Sequence, residues 1–281
     1  MVRVAVAALI GIVVVPLTPA AIDGSSVQKR MDADARAGKP LVAHVVVALC
    51  DNEYQGIVPV PKQLGDGDRP GTNLYWGALY GVRTHFTREA GWELVGTLTS
   101  LSDSILERVI LTRTLERAGM PQQVYVVADA WRGREIEAAI GAFLEMSAGG
   151  GAERIRIDVE GDSETLEAGG TAHIVAYVGH NGLMDFSVKD PVGSDETAGP
   201  RSAIVLACAS RPYFESRLGG SHPLLLTAGL MAPEAYTLDA AIRSWFAGER
   251  PAAVREAAAD AYDRYQRCGI AAARKLFTGR P

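Results

Sequence analysis

Ile174-Val175-Ala176-Tyr177-Val178-Gly179-His180-Asn181-Gly182 and, a short way on, Ala203-Ile204-Val205-Leu206-Ala207-Cys208-Ala209-Ser210 are the two stretches whose reading decides the fold. Each begins as an apolar run of strand length. The runs are continuous instead of alternating, as expected for strands buried on both faces. Each ends in a residue able to do covalent chemistry. If the two strands lie side by side and parallel, an imidazole and a thiol emerge at one sheet edge.

The neighbouring segments support that sheet. Leu41 to Leu49 is a third such run and ends at Cys50-Asp51-Asn52, and Val124 to Ala128 is a fourth, ending at Asp129. Behind it Ile136, Ala139, Ile140, Phe143 and Leu144 form one helix face, closed by Gly149-Gly150-Gly151. Pro223 to Ala228 predicts a further strand, Trp92 to Leu98 a short one, and Ile155 to Val159 an edge strand or hairpin arm. Asn73 to Tyr80 predicts a helix with Asn73 as N-cap and with Trp76 and Tyr80 on one face. Ile105, Val109, Ile110 and Leu115 fall near helical spacing before Gly119 and Pro121. Tyr236 to Phe246 and Ala252 to Phe277 predict two closing helices. Strands alternating with helices give the fold class α/β, a mostly parallel sheet flanked by helices on both faces. Ligands of such sheets bind beyond the carboxyl ends of the strands.

Composition narrows the function classes. The 281 residues carry a net charge of −5 and no run of Lys and Arg, so nucleic acid is not an expected partner. Residues 1–21 have a positive start, an apolar stretch from Val4 to Val15 and a small, turn-prone end, the layout of a signal peptide. That stretch is shorter than the roughly 20 residues that span a bilayer. The expected organisation is therefore a signal peptide over 1–21, a polar segment over 22–40, and a single domain over 41–281. The expected location is secreted or periplasmic, with no membrane span after signal removal. Only Cys50, Cys208 and Cys268 are present, so at most one disulfide forms and one thiol stays free.

The chemistry follows from the strand ends. A Cys208 thiolate attacks a carbonyl carbon, and His180 takes the thiol proton and returns it to the leaving group. The developing oxyanion needs backbone N–H donors, which the Gly182 region and the Cys208 amide supply. These residues resemble the caspase, legumain and gingipain group of cysteine peptidases. The likeness runs from about Leu41 to Ala228 and rests on the Gly179-His180-Asn181-Gly182 and Leu206-Ala207-Cys208 strand ends. It implies a caspase-like three-layer sandwich, His180 as general base and Cys208 as nucleophile. The group places Gly directly after the His. Here Asn181 intervenes, so the oxyanion donor is the Asn181 or the Gly182 amide. The implied partner is a peptide or protein substrate, with no cofactor and no metal.

Substrate-pocket candidates are Asp51, Asp129 and Ser210. The two carboxylates would form an acidic floor, although loop capping explains an Asp at a strand end more simply. Arg211 argues for the opposite charge preference. Other motifs fall away. Asp66, Asp68 and Gly71 sit at calcium-loop spacing, but Pro70 and Gly77 occupy ligand positions five and twelve. No paired His/Cys spacing for zinc, Walker loop, dinucleotide fingerprint or G-x-S-x-G elbow is present. The expected activity is a cysteine endopeptidase-like hydrolase working through an acyl-enzyme. The alternatives are a catalytically inactive caspase-like module holding a peptide or protein, and a doubly wound binding protein with an incidental cysteine.

Overall fold

A computed structural model describes residues 23–159, 161–191 and 195–281; the expected signal peptide lies outside them. Helix α1 (Gly24–Arg36) opens the fold, with the Asp23 carboxylate accepting from Ser26 N at 2.8 Å as N-cap. The polar segment 22–40 is thus mostly helix. Val27 and Met31, four residues apart, are both buried against the sheet.

Strand β1 (Leu41–Ala48) is buried at every position. Helix α2 (Val82–Arg88), strands β2 (Glu93–Thr99), β3 (Ile105–Arg117) and β4 (Met120–Trp131), and helix α3 (Ile136–Ser147) follow. Strands β5 (Glu153–Val159) and β6 (Asp162–Ala168) form a separate antiparallel hairpin. Then come β7 (Ile174–Val178), β8 (Ser202–Leu206), α4 (Ser210–Phe214) and β9 (His222–Thr227). Helices α5 (Ala235–Phe246), α6 (Pro251–Gln266) and α7 (Ile270–Leu276) lead to the short β10 (Phe277–Thr278).

The main sheet has eight strands in the order β10-β9-β8-β7-β1-β4-β3-β2. The pairs β4–β1, β1–β7, β7–β8 and β8–β9 are parallel; β2–β3, β3–β4 and β9–β10 are antiparallel. The parallel strands therefore run second-first-third-fourth-fifth in chain order. Their order reverses between β1 and β7, which opens the ligand crevice of a doubly wound sheet there.

Successive residues of β1 supply opposite cores, as the pleat requires. Leu41, Ala43, Val45 and Val47 pack with Met31 of α1, Ile242 and Trp245 of α5 and Val254 of α6. Val42, Val46 and Ala48 pack with Ile140 and Phe143 of α3, Phe214 of α4 and Leu166 of the hairpin. The result is an α/β sandwich of three layers. Among the described residues no helix is long and apolar enough to cross a membrane.

Three local expectations are corrected. The segment from Ile105 is strand β3, not a helix. Ala118 (φ 51°) and Gly119 (φ 78°) both take positive φ and turn β3 into β4, with Arg117 opposite Met120. Two left-handed residues in a two-residue loop match strand twist, so Gly119 closes a hairpin where the sequence suggested a helix stop. Residues 73–80 are turns, and the first helix there is α2. At Gly81 a Cβ would lie 2.5 Å from the Trp76 backbone, a close approach that a regular helix does not make. The last predicted helix is two helices, parted by the left-handed Arg267 (φ 52°) and by Gly269 (φ 86°).

Candidate functional site

The register of β7 against β8 ends with Tyr177 opposite Val205 and Val178 opposite Leu206. His180 and Cys208 each stand two residues beyond that last pair, on strands about 4.8 Å apart. Gly179 N donates to Leu206 O at 3.2 Å and extends the ladder. Asn181 Nδ2 donates to Cys208 O at 2.7 Å and binds one loop to the other. These two bonds hold the thiol-bearing and imidazole-bearing turns side by side.

His180 is half-buried, and its backbone carbonyl accepts from the Tyr177 hydroxyl at 2.8 Å. Its Nε2 lies 2.8 Å from Asp185 Oδ2. A carboxylate partner makes Nε2 the protonated nitrogen of the neutral ring and leaves Nδ1 with its lone pair. Asp185 is a partner of His180 in the candidate site that sequence reading missed. Its signal is a carboxylate five positions after a strand-end histidine, across the tight turn at Gly182–Met184.

Cys208 is half-buried as well. Met231 N donates to its Sγ at 3.4 Å, and Sγ lies 3.4 Å from Met231 O. Among the described groups the hydrogen bonds of the thiol go to this backbone unit, and those of the imidazole to Asp185. Ala209, the next residue, is left-handed at φ 45° and starts α4. Such a conformation costs a non-glycine residue about 1 kcal/mol and is tolerated only where the surroundings enforce it. Here Ala209 N is held by Gly229 O at 2.7 Å.

The two oxyanion alternatives separate. Gly182 N already donates to His180 O at 3.1 Å, whereas the Asn181 and Cys208 amides donate to no described acceptor.

The pocket candidates have other duties. Asp129 is not at a strand end: β4 continues to Trp131, and the carboxylate is buried inside the sheet. Arg108 Nε and Nη2 donate to it at 2.6 and 2.8 Å, and His44 Nε2 lies 3.1 Å away. Burial pushes its pKa up, but Arg108 and His44 prevail and hold it at about 2. With both oxygens engaged, it has nothing left for a substrate cation. Asp51 accepts from Glu53 N and Tyr54 N at 2.9 and 3.1 Å, the loop-capping arrangement. Ser210 is fully buried and joins the ends of β8 and β9. Its amide donates to Thr227 Oγ1, and its hydroxyl donates to Val205 O and accepts from Thr227 N.

The end of β1 is held by two side-chain amides. Asn73 Oδ1 accepts from Cys50 N at 3.0 Å while its Nδ2 donates to Cys50 O at 2.8 Å. Gln55 Nε2 donates to Leu49 O and Gly133 O. Asn73 is thus a clamp on β1 in place of a helix cap. Burial pushes the Cys50 thiol up to about 11, so it stays protonated at neutral pH. All three cysteines are free.

Comparison of the chain with protein-family models, curated proteins and solved structures returns no match.

Proposed function

We propose that the chain is a caspase-like cysteine hydrolase of the endopeptidase class, with Cys208 as nucleophile and His180 as base. One observation carries this reading. The two residues stand at equal distances past the last pair of adjacent parallel strands, on turns joined by the Asn181–Cys208 bond. The sequence-level resemblance and the doubly wound strand order lend it further support.

In this mechanism Asp185 holds the His180 ring through Nε2–H, and Nδ1 receives the Cys208 proton. The Met231 amide stabilises the thiolate that forms. Sγ attacks the substrate carbonyl carbon, and the C=O pair moves onto oxygen, which the Asn181 and Cys208 amides receive. The C–N bond then breaks, and the imidazolium gives its proton to the leaving amine. Water repeats the sequence on the acyl-enzyme and releases the acid and the thiol. Export through the N-terminal signal belongs to the same reading.

A second reading, a catalytically silent peptide-binding module, draws on the resting hydrogen bonds of the thiol, which go to Met231. Alkylation with iodoacetamide separates the two. A Cys268→Ser background removes the one exposed cysteine, and Cys50 is shielded by burial and its raised pKa. The enzyme reading expects Cys208 to be alkylated faster than a free thiol at pH 7. It also expects Cys208→Ala to abolish peptide hydrolysis without unfolding the protein. Alkylation no faster than in the denatured chain would favour the silent module.

A further inference from the structure

Tyr262 lies on the buried face of α6 with Ala258 and Val254, one and two turns before it. Its ring packs edge-on against Phe277 of β10, with centroids 5.6 Å apart. That packing needs only the ring. The hydroxyl makes one hydrogen bond among the described groups, accepting from Ala232 N at 3.1 Å. Among the described residues, Tyr262 and Cys208 are the side chains that hydrogen-bond the backbone between Gly229 and Glu234. The segment is fastened at its start by backbone alone: Ala228 N donates to Leu276 O at 2.8 Å, and Gly229 O accepts from Ala209 N.

Ala232 N belongs to the same peptide unit as Met231 O, which lies 3.4 Å from Cys208 Sγ. The unit is planar, with N–H and C=O on opposite sides, so a bond that fixes the N–H also fixes the C=O. Only the φ and ψ of Met231 separate that plane from Met231 N, which donates to Sγ at 3.4 Å. The contact is therefore two-sided. A protonated thiol needs an acceptor and a thiolate needs a donor. The Met231 backbone offers both from one place, so Sγ can ionise without any movement of the chain around it.

We infer that Tyr262 is a positioning residue for the Cys208 thiol, holding the Met231 backbone on Sγ through its bond with Ala232 N. Only the consequence for catalysis rests on the hydrolase reading. The test compares iodoacetamide alkylation of Cys208, read by mass spectrometry, in the Cys268→Ser chain with and without Tyr262→Phe. The variant keeps the ring and removes the acceptor of Ala232 N. Freeing the Met231 backbone is expected to lower the thiolate fraction at pH 7 by about tenfold. A more basic thiolate is the better nucleophile, so alkylation slows by only about threefold. At pH 10, where ionisation needs no support, the variant is expected to react as fast as the parent or faster. Amide exchange at Met231 and Ala232 is expected to quicken by about tenfold, with exchange in β8 unmoved. Alkylation at pH 7 that is unchanged or faster in the variant overturns the inference. So does exchange at Met231 and Ala232 that quickens no more than in β8, because the change is then a general loosening. Slowed alkylation in the variant, with no peptide hydrolysis by the parent chain, keeps the inference and removes the hydrolase. Hydrolysis that depends on Cys208, with alkylation unmoved by Tyr262→Phe, does the opposite.

Discussion

Two histidine–aspartate pairs in this molecule look alike as distances and differ in everything around them. His44 and Asp129 lie 3.1 Å apart in the middle of the sheet, with Arg108 and Glu153 extending the network to the β5–β6 hairpin. His44 Nδ1 also accepts from Gly169 N at 2.9 Å, so both ring nitrogens are satisfied. His180 and Asp185 lie 2.8 Å apart at the carboxyl edge, where the Asp is exposed and one ring nitrogen has no described partner. A fully satisfied pair has no free lone pair for a reactant and serves the fold. A half-satisfied pair at a sheet edge retains a base.

The largest effect that tests this contrast is on stability. Asp129→Asn leaves Arg108 buried with its main counter-charge gone and is expected to cost about 3–5 kcal/mol in urea unfolding. A loss below 1 kcal/mol would mean that the inner network is not structural. Next comes the response to acid. Burial lowers His173 and His222 to about 4, so both are neutral in the folded protein at pH 7. The unfolded chain takes up those protons near pH 6.5. This stability is therefore complete above about pH 6.5 and is lost as pH falls toward 4, up to about 3 kcal/mol for each ring. Asp129, held at about 2, adds a further loss of about 2 kcal/mol between pH 4 and 2. His222 stacks on Trp245 with neither nitrogen bonded, so His222→Phe is expected to remove its share of the slope between pH 6.5 and 4. An unchanged slope would assign the loss elsewhere.

The smallest stability effect belongs to the outer pair. Asp185→Asn is expected to change unfolding by less than about 1 kcal/mol, as for an exposed ion pair. On the hydrolase reading it still slows hydrolysis by roughly 10–100-fold, less than the roughly 100–10,000-fold of an acid–base group itself, because Asp185 only positions the base. Because Asp185 acts through His180, the loss is expected in kcat with KM unchanged. A kcat unchanged from the parent chain, or a loss that tracks unfolding, would reduce Asp185 to a loop contact.

Much of the sheet was legible because burial on both faces leaves a continuous apolar run in the sequence. Leu41–Ala48, Ile174–Val178 and Ser202–Leu206 each appear as strands within a residue or two of the expected bounds. The misreadings have one cause. Ile105 to Leu115 combines apolar residues at helical spacing with the run of a buried strand, and only pairing with β4 decides between them. Asn73 has the chemistry of a helix cap and of a backbone clamp, and the strand end it meets lies 23 residues away.

The residue types at the strand ends, the order of apolar runs and the spare cysteine are properties of the chain itself, since local patterns of burial and turn chemistry need no knowledge of distant partners. Which carboxylate meets which imidazole is not. Asp129 and Asp185 are the same residue in sequence, and their different roles come from what folding brings to them: Arg108 and a dry interior for one, His180 and solvent for the other. Desolvation and the neighbouring charge set the behaviour of an ionisable group, and both are decided only when the strands are assembled.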